Sequence, residues 1–206
     1  MRILFAFLVA AILPLISPGS DGPRTEDGGG GLYAACGLEG LLPRHVFDQA
    51  IASAQQRGMK ARVIAIADMT RPSNEQRLYI VDLESRRLLS STWVAHGRNS
   101  GELRCTAVSN REGSLQTSKG LYRVGTEIVS PKHGQALLLH GLDPGVNDKA
   151  LEREIIIHGA DYVSADFIRE HGRLGRSFGC PAVPRGMMPQ LVQWLANDGL
   201  LYVHAD

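Results

Sequence analysis

The sequence predicts a mostly β domain of the α+β class, and three observations predict it. Short apolar or alternating runs recur from residue 62 onward, clusters of Gly, Pro, Asn, Asp and Ser separate them, and only a few segments carry helical spacing.

Along the chain, Met1-Arg2 followed by apolar Ile3–Ile16, broken only by Pro14, is a basic start with a short hydrophobic run. Fourteen residues are few for a bilayer span, so residues 1–19 read as a secretory signal peptide. An uncleaved anchor is the other reading, and a membrane then enters only through this segment. Residues 20–36, with Gly28–Gly31, read as a flexible linker, and residues 37–206 as one folded domain. Within Pro43–Gly58, Val46, Phe47, Ala50, Ile51 and Ala54 share one helical face. Val63–Ala67, Leu78–Leu83 and Leu88–Ala95 then form three strands joined by turn-rich tetrads, an antiparallel meander. Leu121–Val124, Ala136–Leu139 and Ile155–Ile157 extend the strand count, and Leu200–His204 adds a last one. Gly186–Asn197 places Met187, Met188, Leu191, Val192 and Leu195 at helical spacing, a helix packed on the sheet.

The 206 residues carry a formal charge of +1, with 44% apolar and 21% charged residues. That composition supports one sizeable core and gives no case for a nucleic-acid partner. Three cysteines, Cys36, Cys105 and Cys180, are an odd set for an exported chain. The economical arrangement leaves Cys180 free, with Cys36 and Cys105 either paired or unpaired.

The chemistry concentrates in Ile155–Pro184. An apolar strand ends at His158-Gly159, a helix-like segment follows, and Gly172–Pro181 holds three glycines and a proline. Such a loop is shaped rather than helical. Cys180 on it and His158 at the strand end suggest a thiol nucleophile with its base. A thiol is mostly protonated at neutral pH, and an imidazole that takes its proton leaves a reactive thiolate. The turn can also aim the main-chain N–H groups of Phe178, Gly179 and Cys180 at one point, as an oxyanion hole requires. A buried cysteine on a tight turn and an unrelated core histidine are the plainer alternative, and for an isolated pair the commoner one.

His96–Gly101, at the end of the third strand, reads equally as a cleft lining or as an ordinary polar loop. His96, His133, His140, His158 and His171 raise a zinc reading. No HExxH or CxxC spacing accompanies them, so no metal site is expected. Asp143–Asp148 lacks a calcium loop's alternating ligands and late Glu, and reads as a turn.

The pair HG and SxGC, as His158-Gly159 and Ser177-Phe178-Gly179-Cys180, resembles the active-site motif of the L,D-transpeptidase (YkuD-like) family. HGADYVSADFIREHGRLGRSFGCPAVP is similar to its murein L,D-transpeptidase catalytic-domain subgroup, with VAHGRNSG, PKHG and GLDPGVNDKA in support. The resemblance implies a YkuD-like β-sandwich or meander with a few packed helices. It implies peptidoglycan stem peptides as substrate and no cofactor. Cys180 then matches the acylated nucleophile, His158 its base, Gly159 the residue whose carbonyl orients the imidazole, and Ser177 the motif hydroxyl. The implied reaction is L,D-transpeptidation through a Cys180 thioester that releases D-Ala, in the periplasm or cell envelope. An L,D-carboxypeptidase-type hydrolysis, a non-catalytic cell-wall-binding module and an unrelated secreted cysteine hydrolase are the alternatives. Two departures stand out. Phe178 occupies a place where many relatives have His, which removes a second imidazole from the motif. Pro181-Ala182-Val183 follows the cysteine without the usual Arg or Asn, so a substrate carboxylate needs another partner: Arg176 or Arg98, with His96 at the same rim.

Overall fold

A computed structural model describes residues 30–206. The signal-peptide expectation for residues 1–19 lies outside that range. The linker expectation is corrected at its far end. Gly30–Ala35 forms a helix, α1, and Tyr33 and Cys36 are buried, so the ordered chain begins before residue 37. Tyr33 Oη donates to the carbonyls of Leu38 and Leu42, which anchors the segment.

The amphipathic segment is α2 (Arg44–Gln56), with Val46, Phe47, Ala50 and Ala54 buried. The meander follows as β1 (Val63–Asp68), β2 (Leu78–Asp82) and β3 (Arg87–Thr92), paired antiparallel. Next come β4 (Gly120–Ser130), β5 (Gly134–Gly141), β6 (Ile156–Gly159), α3 (Ala165–His171) and the two-residue β7 (Ala182–Val183). A 3-10 turn at Arg185–Met187 leads into α4 (Met188–Leu195), and β8 (Leu200–His204) closes the chain. All eight strands join in one order, β3-β2-β1-β8-β4-β5-β6-β7. The last strand runs parallel to β1 and antiparallel to β4, so the C-terminus links the meander to the strands that carry the site.

Alternation along β1 shows where the cores sit. Ile64 and Ile66 pack with Phe47 and Leu42 under α2, whereas Val63, Ala65 and Ala67 pack with Leu137, Ile157 and Leu191 on the other face. Both faces of the strand are therefore covered, which explains its unbroken apolar run. A third, smaller cluster joins Ala95, Ala160, Val163, Leu174 and Ala182, and the last two flank the Cys180 turn in the chain. All three cysteines are free, and Cys36 and Cys105 belong to cores on opposite faces of β1. They are not a disulfide.

The Asp143–Asn147 segment is a structural turn. Asp143 Oδ2 accepts from Leu121 N–H, and Asn147 Nδ2 donates to the carbonyls of Lys119 and Leu121, which tie the turn to β4.

Candidate active site

Two short strands bring the distant motif halves together. In the parallel β6–β7 pair, His158 lies opposite Ala182 and Gly159 opposite Val183. Cys180 enters two residues before His158's strand partner. On its other side the same segment is stitched to residues 95–98. Ala95 N–H donates to Ala182 O (2.8 Å), Ser177 N–H to His96 O (3.0 Å), and Arg98 N–H to Ser177 O (2.8 Å). The Cys180 turn is thus held along both edges.

Inside the turn, Ser177 Oγ donates to Cys180 O (2.6 Å) and accepts from Gly179 N–H (3.1 Å). The buried Ser177 closes the turn on itself. Gly179 has φ +127°, and a Cβ there would stand 2.8 Å from Gln116 O, so both conformation and space require glycine. Of the three N–H groups expected to face an oxyanion, Gly179's is therefore committed to Ser177. Those of Phe178 and Cys180 have no acceptor among the described residues.

Cys180 is half-buried, and its Sγ donates to Glu154 O at 3.7 Å. Among the described residues it makes no hydrogen bond to the His158 ring. Burial pushes the thiol above its ordinary range, while the Ile156 N–H and the Arg153 charge pull it down. The 1% exposed His158 sets Nδ1 3.1 Å from Gly159 O. A carbonyl only accepts, so Nδ1 carries the proton and Nε2 is the basic nitrogen. Burial first, then the neighbouring His133 and Arg185, bring the His158 pKa down to about 4 against the Gly159 contact. At neutral pH the pair is therefore thiol and neutral imidazole rather than thiolate and imidazolium.

The expected substrate contacts divide. Phe178 is exposed, with the Arg98 guanidinium 5.9 Å and Lys132 Nζ 5.6 Å from its ring centre. Neither cation has a carboxylate partner among the described residues. Arg176 is a correction. Its Nη1 bonds to Arg98 O, Gly101 O and Glu102 Oε1, so its charge is already satisfied. His96 is a second correction, because it is buried rather than cleft-lining. Its Nδ1 meets Arg77 Nη2 at 2.7 Å and its Nε2 meets Gly101 O. Burial and the Arg77 charge bring its pKa down to about 4, which keeps it a neutral acceptor for that buried guanidinium. It supports the loop beneath the site.

Two residues take places at the site that the sequence does not signal. Arg153 donates to Ser109 O, Ser118 Oγ and Gln116 O, and so fastens the 109–118 segment beside Gly179. Its position in an exposed run of charges, LERE, gives no such signal. His133 stacks on His158, with ring centres 3.8 Å apart and planes at 24°. Its string PKHG was visible, but nothing in it says which ring the turn would meet. No group of three or more His, Cys, Asp or Glu side chains among the described residues converges as a metal site would.

The model of the family described as L,D-transpeptidase catalytic domain matches residues 41–204. The chain belongs to that family. By that family's description it is a catalytic domain of the L,D-transpeptidase type. No curated protein sequence matches. Among solved structures, an L,D-transpeptidase from Mycobacterium smegmatis is similar at TM-score 0.44 and 12% identity, over 70% of this chain and 59% of that one. Bd1075 of Bdellovibrio bacteriovorus is similar at 0.44 and 15%, over 70% and 48%. An L,D-transpeptidase from Stackebrandtia nassauensis is similar at 0.44 and 13%, over 85% and 75%. The chain thus spans about half to three-fifths of the first two.

Proposed function

We propose that this chain catalyses L,D-transpeptidation of peptidoglycan stem peptides through a thioester on Cys180. The observation that carries the reading is the β6–β7 pairing. It sets the cysteine turn beside His158, whose ring Gly159 O holds in the tautomer that leaves Nε2 basic.

The thiol turns from the Glu154 carbonyl, loses its proton to His158 Nε2, and its sulfur attacks the carbonyl that links the stem's diamino acid to terminal D-Ala. The new oxyanion accepts from the Phe178 and Cys180 N–H groups. The carbon–nitrogen bond then breaks, the imidazolium gives its proton to the departing amine, and D-Ala leaves. An acceptor amine attacks the thioester and gives a proton to His158 Nε2, and the carbon–sulfur bond breaks as the sulfur takes that proton back. Because thiol and imidazole are both neutral at rest, the proton transfer belongs to the reaction rather than to the resting site. Arg98 and Lys132, which flank Phe178 without carboxylate partners, receive the substrate carboxylate that the missing motif cation would otherwise hold. Export goes with this reading and rests on the residues before 30, outside the described range.

Incubation with a disaccharide-tetrapeptide tests it, with products resolved by mass spectrometry. Cross-linked dimer with release of D-Ala, both lost in Cys180→Ala, is the expected result. D-Ala release without dimer would replace the acceptor amine by water and make the enzyme a carboxypeptidase. No turnover of any kind would leave a wall-binding module.

A further inference from the structure

Besides the residues of the motif, the site holds a second imidazole, and it arrives from another part of the chain. The tip of the β4–β5 hairpin, Ser130–Gly134, turns with Gly134 at φ +71° and His133 N–H donating to Ser130 Oγ (3.3 Å). Pairing of Ala136 with His158 sets the β5 edge beside the base, and the turn folds the His133 ring flat onto the His158 ring. We propose that His133 is a positioning residue for His158, a stacked neutral ring that fixes the plane of the base and lets it accept the thiol proton only while His133 itself is uncharged. The proposal rests on the acyl-transfer reading above.

Two restraints then act on the base. The Gly159 carbonyl sets the tautomer but leaves the ring free to swing about that bond. The stack removes that freedom and keeps bulk water from one face. The charges around the pair explain the dependence on protonation. Lys132 stands next to His133 on the same turn, and Arg185 approaches from the 3-10 turn, ion-paired with Asp161. His158 faces His133 and the same Arg185. Burial and these two cations hold His133 below the ordinary histidine range, so it is neutral at pH 7. When His158 takes the thiol proton, a neutral His133 offers its π face to the new cation. A protonated His133 would instead put a second imidazolium in contact with it and block the transfer.

The test measures D-Ala release from the tetrapeptide as a function of pH, for wild type, His133→Ala and His133→Phe. Wild type should lose activity on the acid side with the steepness of two protons. His133→Ala should lower kcat about tenfold with KM within twofold of wild type. His133→Phe keeps a stacked ring without a titrating nitrogen. It should recover most of the lost kcat and show an acid limb one proton shallower. Wild-type rates and an unchanged acid limb in both variants would overturn the proposal and leave the acyl-transfer reading intact. Absence of D-Ala release from wild type would overturn that reading itself.

Discussion

Acid should destabilise this fold steeply, through two histidines that the structure buries in neutral form. His96 and His158 are each 1% exposed, and each has its pKa lowered from 6.5 to about 4. The unfolded chain therefore binds these two protons first. Stability from this source is complete above the unfolded value and is lost as pH falls from 6.5 toward 4. At pH 5 each site costs about 2 kcal/mol, so the pair removes about 4 kcal/mol from a total that for such domains is about 5–15 kcal/mol. His133, His140 and His204 are shifted in the same direction and add to that figure. Urea unfolding at pH 7, 6 and 5 reads it directly. The midpoint should fall at each step, with a slope between pH 6 and 5 of about two protons from these two rings and more with the other three. His158→Gln should remove about one of them. A midpoint unchanged between pH 7 and 5 would refute the neutral burial of both rings, and with it the resting protonation state of the base.

Other consequences are more local. Gly179→Ala forces a side chain into a left-handed backbone against Gln116 O, and should cost about 1–3 kcal/mol in a thermal or urea melt while nearly abolishing turnover. The double variant Arg98→Ala/Lys132→Ala should raise KM for the tetrapeptide about tenfold with kcat nearly unchanged. Equal KM values would show that neither cation meets the carboxylate. Alkylation of Cys180 by iodoacetamide should keep accelerating with pH to above the ordinary thiol value, because burial raises this thiol. A plateau reached below pH 8 would mean a preformed thiolate–imidazolium pair.

Elements governed by local pattern were legible in the sequence: the apolar face of α2, the β1–β3 meander, the strand ending at His158, and the glycine-shaped turn at Cys180. Features set by long-range pairing were not. No residue in β8 announces that it inserts parallel to β1, and the two residues of β7 are strand only because β6 and Ala95 flank them. β4 and β5 run beyond their apolar cores because the hairpin tip needs only backbone pairing, and Glu127 and Val129 there are exposed. His96 looked like a rim residue because sequence does not reveal that a buried Arg77, with carbonyls as its other partners, takes it as an acceptor. Arg176 looked free because its partner Glu102 lies far back in the chain.

The proposed reaction requires that the Cys180 sulfur be acylated with His158 as its base. Intact-mass spectrometry after incubation with a carbapenem tests that most directly, on wild type, Cys180→Ala and His158→Gln. The expected result is one adduct on wild type, none on Cys180→Ala, and acylation slowed by about a hundredfold or more in His158→Gln. No adduct on wild type, or an adduct that survives the loss of the sulfur, would contradict it.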